Sequence, residues 1–205
     1  MAVLLLSAVK PAVACQPPES PARFVIHHET YGDIGTHVLN FSCDGDDLVV
    51  DTKVDVKVKV LFVTAYRRKA HYHEVWHGDR LIAYEARTDD DGELFETRAR
   101  IDGNQMVVDG VEKGVRVPLD TVSSHPWNVR VIDRPLIFGQ RDGEIRHVEA
   151  EAVGEEPLTI GGKRIIAKKY LVTGDLEREL LYAPDGTWLQ WRLDRDGKAV
   201  TITRQ

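Results

Sequence analysis

The run Lys53-Val54-Asp55-Val56-Lys57-Val58-Lys59-Val60 alternates charged and apolar side chains along the chain. Such alternation places all the valines on one face of a β-strand and the charged side chains on the other. A helix would spread the same valines around its circumference. Valine is also β-branched, which favours a pleated sheet. The run therefore predicts a strand with one buried and one solvated face.

The apolar pattern continues beyond this run, because residues 48–66 contain neither glycine nor proline. A strand over this whole segment is much longer than the usual length of about five or six residues. From Leu61 to Ala65 both faces become apolar, so we expect this end of the strand to be covered on both sides. Strands of this length predict a curved sheet or an open barrel.

Turn residues recur along the rest of the chain, as in an antiparallel meander. The predicted turns are Asp44-Gly45-Asp46-Asp47, Gly78-Asp79, Asp91-Gly92, Gly103-Asn104, Gly161-Gly162, Pro184-Asp185-Gly186 and Asp196-Gly197. Gly32 and Gly35 stand close together and predict a bend or bulge near the first strands. Each interval between two turns is expected to form one strand.

Residues 114–143 interrupt this pattern, because they lack clean alternation and contain three prolines. Thr121 or Ser123 could cap a short helix near residues 124–131. Two aromatic residues of the segment could close an open end of a barrel: Trp127 and Phe138.

The chain as a whole predicts an all-β fold, a long-stranded antiparallel meander that forms a strongly curved sheet or an open or closed β-barrel. One short helical crossover is expected around residues 120–142. The chain has 205 residues, enough for one such domain with its own core. The hydrophobic fraction of 42% is ordinary for a folded protein and excludes a disordered chain.

The N-terminal residues have features of an export signal. The apolar stretch Ala2–Leu6 is followed by Ala12-Val13-Ala14, whose small residues suit a cleavage site. We expect residues 1–14 to be a signal peptide, shortened if the true start codon lies upstream, residues 15–22 to be a linker, and residues 23–205 to form a single β domain. The expected location is the periplasm. The apolar stretch is too short for a spanning helix, so contact with the membrane would be peripheral at most.

The chain contains two cysteines, Cys15 and Cys43. An even number of cysteines in an exported chain permits one disulfide between them. Cys15 also directly follows the predicted cleavage site, like the lipidated cysteine of bacterial lipoproteins, although Ala12 stands where such sites usually carry leucine. The sequence favours the disulfide over a lipid anchor on Cys15.

The segment His71-Tyr72-His73-Glu74-Val75-Trp76-His77 has the highest density of side chains that can carry chemistry. On a strand, His71 and His73 share one face, and two imidazoles at this spacing can ligate one metal ion. The opposite face carries Tyr72, Glu74 and Trp76. The two faces thus give two separate hypotheses, a metal site and a carboxylate site.

The turn at Gly78-Asp79 fixes the expected register of the next strand. A two-residue loop would pair Glu74 with Ala83 and Tyr72 with Glu85. Glu74 and Glu85 would then be diagonal neighbours. Two close carboxylates raise the pKa of one of them, which suits acid–base catalysis. This register is the basis of the enzyme hypothesis.

Charge and motifs exclude several functions. The formal net charge of −6 argues against nucleic acid as a partner, because binding to phosphates needs a basic face. The sequence has no serine-nucleophile motif, no phosphate-binding loop and no dinucleotide fingerprint. We therefore expect no cofactor.

Several motifs follow one another in an order that resembles a known family. They are Tyr31-Gly32-x-Ile34-Gly35, Glu74-x-Trp76-x-Gly78-x-x-Leu81, Thr88-x-Asp90-x-Gly92, Trp127-Asn128 and Leu180-x-Tyr182-x-x-x-Gly186. Together they resemble an exported proteobacterial family of all-β proteins that is known only as a domain of unknown function. The resemblance runs from about Phe24 onward. It implies signal-bearing proteins similar in outline to lipoprotein carriers and lipocalin-like open barrels, and it implies no activity.

The expected function is non-catalytic: binding of an apolar ligand, such as a lipid or an acyl chain, in the curved sheet or barrel. One alternative is a metal-binding protein or a hydrolase-like enzyme, and another is an envelope assembly or structural protein. The candidate ligand-binding residues are Phe62, Tyr72, Glu74, Trp76, Glu85 and Trp127. The metal or hydrolase alternative would use His71, His73, Glu74 and Glu85.

Overall fold

The computed structural model describes residues 15–195 and 197–205, and one large sheet of 15 strands organises them. The predicted signal peptide, residues 1–14, lies outside the described residues. The first eight strands are β1 Ala22–His28, β2 Gly32–Asp44, β3 Asp47–Val60, β4 Val63–His77, β5 Arg80–Asp90, β6 Glu93–Asp102, β7 Gln105–Asp109 and β8 Val115–Pro118. The remaining strands are β9 Val122–Ser123, β10 Leu136–Phe138, β11 Ile145–Ile160, β12 Lys163–Gly174, β13 Arg178–Tyr182, β14 Trp188–Arg195 and β15 Lys198–Arg204.

The strand order is β8-β7-β6-β5-β4-β3-β2-β1-β15-β14-β13-β12-β11-β10-β9. Two meanders therefore meet at β1 and β15, where Phe24 pairs with Arg204 and Ile26 with Ile202. All pairs of neighbouring strands are antiparallel except β9 and β10. The two edge strands, β8 and β9, are consecutive in the chain, so the curved sheet nearly closes on itself without hydrogen bonds across the seam. This confirms the predicted all-β, long-stranded antiparallel fold.

The core lies on one face of the sheet, called the inner face below. Along β3, Val54, Val56 and Val58 turn toward the core, whereas Asp55 and Lys57 between them are exposed. The predicted alternation is therefore confirmed. The largest buried side chains include Phe24, Leu39, Tyr72, Tyr84, Phe138, Leu180 and Tyr182.

A smaller cluster lies on the outer face of the second half. A bulge between Ala152 and Gly154 shifts the register of β11 against β12. One extra residue reverses which side chains face inward. After the bulge, Leu158 and Ile160 pack on this outer cluster, whose buried members are Ile160, Ala167, Leu181, Ala183 and Leu189.

The end of the valine strand differs from the prediction. The strand stops at Val60, and Leu61 and Phe62 form a tight turn with φ values of 48° and 76°. Leu61 is 87% exposed and Phe62 103% exposed, so this end is not covered on either side. The turn escaped prediction because neither residue is a glycine, asparagine or aspartate, the residues that normally mark such turns.

The crossover segment, residues 119–144, contains one 3-10 helix, Val129–Asp133. Asn128 caps it, because its side chain accepts a hydrogen bond from the N–H of Arg130 (3.1 Å). The helix is shorter and starts later than predicted, and Ser123 belongs to β9 rather than to a cap. No helix in the described residues has the length and apolar character needed to cross a membrane.

Cys15 and Cys43 form a disulfide with a Cα–Cα distance of 5.9 Å. The bridge ties the segment before β1 to the end of β2. A sulfur in this bridge is not available for a lipid anchor, so the structure agrees with the disulfide and not with lipidation of Cys15. The linker was predicted to end at residue 22, but β1 already begins at Ala22, so the linker ends one residue earlier than predicted.

Candidate functional site

The crossover segment is held against the inner face by both halves of the sheet. From the first half, the hydroxyl of Tyr84 donates to the carbonyl of Gln140 (2.9 Å). From the second half, the hydroxyl of Tyr182 donates to the carbonyl of Pro126 (2.8 Å). The segment therefore forms part of the interior rather than an exposed loop.

Glu74 is the carboxylate at the centre of this contact. It is 1% exposed, and three neutral donors reach it: Nε1 of Trp76 at 2.8 Å, Nε1 of Trp127 at 2.7 Å and Oγ of Ser123 at 3.0 Å. Burial raises the pKa of Glu74, and these three hydrogen bonds act against that rise. Because two of the donors belong to the crossover segment, Glu74 links that segment to β4.

A pair of buried histidines lies nearby. Nε2 of His37 and Nε2 of His125 are 2.8 Å apart. Burial lowers the pKa of His37 to about 3. Burial is also the main cause that lowers the pKa of His125 well below its usual value. The backbone N–H of Trp127 donates to Nδ1 of His125 (3.4 Å). Because Nδ1 is an acceptor, the proton of His125 lies on Nε2, which faces His37. Both rings are thus neutral, with one as donor and the other as acceptor.

Two tryptophans of β14 complete the aromatic surroundings. Trp188 stacks on Phe24 with ring centroids 4.0 Å apart, and its edge faces both histidines. Trp191 lies under the guanidinium of Arg178, 4.9 Å from the ring centroid. The interior between β1, β2 and β14 is therefore lined mainly by aromatic rings.

Arg178 is the least expected residue of this interior. It is 4% exposed, and within the described residues neither its Nε nor its Nη1 has a hydrogen-bond partner. Burial lowers the pKa of its guanidinium to about 10, still far above neutrality, so the group is charged. The indole N–H groups of Trp188 and Trp191 and Nε of Arg68 are also buried without partners in the described part of the chain. We call Arg68, Arg178, Trp188 and Trp191 the donor cluster.

The histidine pair connects the members of the donor cluster: Trp188 contacts both imidazoles, and Arg178, which contacts Trp191, and Arg68 each act on one of them. The charge of Arg178 contributes to the lowered pKa of His125, and the charge of Arg68 to that of His37. Arg68 also donates to the hydroxyl of Tyr72 (3.0 Å). The unpaired groups of the cluster are all donors, so the region offers hydrogen bonds to an acceptor that the described side chains do not supply.

The structure brings Tyr72, Glu74, Trp76 and Trp127 together on the inner face, as predicted. Glu85 does not join them. It pairs with His73 and is exposed on the outer face, because an extra residue, Ile82, forms a bulge opposite Val75 and Trp76. Glu74 instead pairs with Tyr84. The predicted pair of neighbouring carboxylates is therefore wrong, and so is its expected register.

Phe62 is also misplaced by the prediction. It lies at the tip of the β3–β4 hairpin, fully exposed and away from the inner face. The sequence pattern could not locate it, because the turn at Leu61 and Phe62 has no turn signature.

His71 and His73 share the outer face, as predicted, and both approach Asp51. Oδ1 of Asp51 is 3.3 Å from Nε2 of His71 and 2.9 Å from Nδ1 of His73. Among residues 15–195 and 197–205, no group of three or more histidine, cysteine, aspartate or glutamate side chains has the arrangement of a metal site. The metal site at His71 and His73 stays a prediction.

A cleft of about 510 Å³ lies where the β8–β9 connection faces the β4–β5 turn. Leu81, Leu119 and Val122 give it an apolar floor, and Arg134 and Asp120 stand at its edge. It opens beside the strands that carry Trp76 and Ser123, at the seam of the sheet.

No sequence pattern singled out His125 or Arg178, or predicted that His37 pairs with His125. Arg178 could still have been found from the sequence, because it alternates along β13 with Leu180 and Tyr182 and therefore lies on the same inward face as they do. A charged residue at an inward position of an apolar strand face is a candidate for function.

The fold and its interior define a β-barrel-like protein with a buried, donor-rich centre. The family model of a domain of unknown function, DUF6134, matches residues 29–205, and the chain belongs to this family. Among solved structures, the chain is similar to a β-barrel-like protein of the domain of unknown function DUF1849 from Brucella abortus, with a TM-score of 0.62 and 8% identity over 90% of this chain and 94% of that one. At this identity the likeness concerns the fold alone. No functionally curated protein matches the chain significantly.

Proposed function

We propose that this protein is a non-catalytic carrier or receptor that binds an acidic amphipathic molecule, such as a fatty acid or another acyl chain with an acid group, inside its curved sheet. The observation that carries the proposal is the donor cluster around Arg178, in which Nε and Nη1 of Arg178, Nε of Arg68 and both indole N–H groups have no acceptor in the described chain.

The energetic cost of the donor cluster supports a ligand. A buried charge without a partner is strongly unfavourable, as is a buried N–H without an acceptor. Buried arginines are normally paired with carboxylates. An acid group from a ligand would supply the missing acceptor, and Arg is well suited to hold it through two parallel hydrogen bonds.

The surroundings of Arg178 suit the apolar part of such a ligand. The neighbouring inward residues on the second half of the sheet are apolar or aromatic, namely Tyr170, Val172, Leu180, Tyr182 and Trp191. Ligand sites in proteins are commonly apolar with a few polar groups that fix orientation. The seam between β8 and β9 lacks backbone pairing, which favours opening of the sheet for entry.

We also propose that the protein is exported to an oxidising compartment, the periplasm. The disulfide between Cys15 and Cys43 supports this, because such bridges are rare in reducing cytosol. Cell fractionation tests it: the protein in the periplasmic fraction, with no free thiol, agrees, and a reduced cytosolic protein contradicts it.

The binding proposal is tested first by native mass spectrometry of protein purified from its own host, followed by solvent extraction and mass analysis of the released molecule. Dodecanoate is then titrated into delipidated protein, with tryptophan fluorescence, to which Trp188 and Trp191 contribute, as the readout. We expect saturable binding of dodecanoate and much weaker binding of dodecanol, which has no acid group.

Arg178→Met removes the charge at nearly constant volume, and binding of dodecanoate should weaken by at least roughly tenfold. Arg178→Lys keeps the charge and should retain part of the affinity. Arg87→Met is the matched control, because Arg87 is exposed on the outer face, and it should bind as the unmodified protein does. Equal binding by the Arg178→Met protein, or no acid bound or bindable, would overturn the proposal.

A further inference from the structure

The β3–β4 hairpin projects beyond its neighbours. Pairing of β3 with β2 ends at Val56, and pairing of β4 with β5 ends at Arg68. Residues 57–66 continue as a two-stranded ribbon, called the ribbon below. At about 3.3 Å per residue, its strand of four residues extends about 13 Å beyond the rest of the sheet.

The tip of the ribbon is apolar and open to solvent. Val60, Leu61, Phe62 and Val63 are 41%, 87%, 103% and 67% exposed. Four consecutive large apolar side chains in this state form a patch of the kind that marks an interaction site.

The backbone of the tip adds a second unfavourable feature. Leu61 and Phe62 both have positive φ, the geometry of turns that Asn-Gly normally occupies. A leucine and a phenylalanine in this region carry backbone strain. Two exposed, strained apolar residues thus stand where Asn-Gly would be more stable, so folding alone does not account for them.

The charge around the tip is positive. No acidic residue occurs from Val56 to His73, although the chain as a whole has a formal net charge of −6. Lys57 and Lys59 are exposed and form no ion pair within the described residues. Arg67, at the base, is already paired with Asp89 (2.9 Å). The free positive charges of the ribbon are therefore the two lysines directly behind the tip.

We propose that the ribbon docks the protein on an anionic lipid membrane, with Leu61 and Phe62 in the boundary between headgroups and acyl chains and Lys57 and Lys59 at the lipid phosphates. An apolar tip backed by basic residues is the pattern of proteins that bind the membrane interface. A second copy of the chain fits less well, because the lysines of two ribbons would repel each other.

Co-sedimentation with vesicles tests this inference. The full protein should bind vesicles that contain phosphatidylglycerol, and bind pure phosphatidylcholine vesicles at least roughly tenfold more weakly. Binding to the anionic vesicles should decrease with salt, because screening weakens the lysine–phosphate attraction.

The double variant Leu61→Asn/Phe62→Gly should lose binding to anionic vesicles by roughly tenfold or more. Its thermal unfolding temperature should not fall, because Asn-Gly suits the turn. Lys57→Gln/Lys59→Gln should keep only the weak binding seen with phosphatidylcholine. Ile166→Asn, which changes a half-exposed apolar residue on β12, is the control and should bind normally.

Absence of binding to any vesicle overturns the inference, as does equal binding by the Leu61→Asn/Phe62→Gly protein. Self-association that requires Phe62, measured by sedimentation without lipid and accompanied by no vesicle binding, overturns it in favour of a second copy. Arg178→Met should leave vesicle binding unchanged, so this test is independent of the interior site.

Discussion

The indole Nε1 of Trp127 lies 2.7 Å from the Glu74 carboxylate, and this hydrogen bond joins the crossover segment to a central strand of the sheet. Trp76, two residues from Glu74 on the same strand, donates to the same oxygen. A single buried carboxylate thus holds two indoles whose rings meet edge to face, with centroids 5.4 Å apart. This contact holds the crossover segment together with the hydrogen bonds from Tyr84 and Tyr182.

Replacement of Glu74 should therefore destabilise the protein. Glu74→Ala leaves three buried donors without an acceptor, and we expect a loss of roughly 3–5 kcal/mol in the free energy of unfolding. Glu74→Gln keeps one acceptor oxygen and should lose less. Urea denaturation measures both. Glu85→Ala is the control, because Glu85 is exposed on the outer face, and its effect should stay within about 0.5 kcal/mol; a similar loss in both alanine variants would contradict the anchoring role.

Stability should fall as the pH drops below about 6.5, because His37 and His125 are neutral when folded and become protonated when unfolded. Each histidine contributes a slope of about 1.4 kcal/mol per pH unit in this window, which for His37 extends down to a pKa of about 3. Glu74 acts in the opposite direction, because its raised pKa favours the folded state as the pH falls toward 4.5.

The histidine contribution is isolated by comparing pH slopes. His37→Gln should flatten the dependence of the free energy of unfolding on pH by about 1.4 kcal/mol per unit. His147→Gln, at a histidine on the exposed surface, is the control. An unchanged slope in His37→Gln would show that the buried pair does not control acid stability.

Arg178→Met should stabilise the ligand-free protein, because a buried charge without an acceptor opposes folding. Arg192→Met is the contrasting variant. Arg192 is paired with Glu156 (3.0 Å) and Glu179 (3.4 Å), and its loss should cost about 1 kcal/mol. Urea denaturation of the two delipidated variants, compared with the unmodified protein, measures both effects. A large loss in Arg178→Met would indicate a structural role instead of a ligand site.

The disulfide should contribute substantially to stability. Cys15 and Cys43 are separated by 28 residues, and a loop of this length corresponds to roughly 3–4 kcal/mol. Cys43→Ser should lower the free energy of unfolding by that amount. Addition of a reductant should affect the unmodified protein and not the variant. Equal sensitivity of both proteins would exclude the bridge as the cause.

Gly110 marks where the crossover segment touches β7. An added Cβ would lie 2.0 Å from the carbonyl oxygen of Asp142, so Gly110→Ala forces the two backbones apart. We expect a loss of roughly 1–3 kcal/mol by urea denaturation. The neighbouring Val111 is exposed, and Val111→Ala should have almost no effect. Equal losses in the two variants would mean that the close approach of Gly110 to Asp142 does not contribute to stability.

The strands could be predicted because their signals are local. Val54, Val56 and Val58 occupy alternate positions and so identify the inner face of β3. A turn such as Gly103-Asn104 can be recognised from its own two residues and marks the end of a strand. The turn at Leu61 and Phe62 was missed for the same reason, because it carries no local signature. The prediction of a fully covered strand end failed with it.

The site could be predicted only in part. That Tyr72, Glu74 and Trp76 share one face follows from their alternate positions in one strand. Their neighbour Glu85 was misplaced by one bulge residue, which alternation cannot reveal. The contact between His37 and His125 joins residues far apart in the chain, so no pattern along the sequence could bring them together.

Pairing of β1 with β15 has a consequence for biogenesis. In most meanders the last strand is an edge, and a chain that lacks it keeps a nearly complete sheet. Here β15 fills the centre, so the backbone pairing that connects β1 to β14 requires the residues around Ile202. A nascent or truncated chain would expose two unpaired edges, on β1 and β14, that invite aggregation. Loss of β15 alone would therefore divide one sheet into two, so a single proteolytic cut before this strand is enough to disrupt the whole domain.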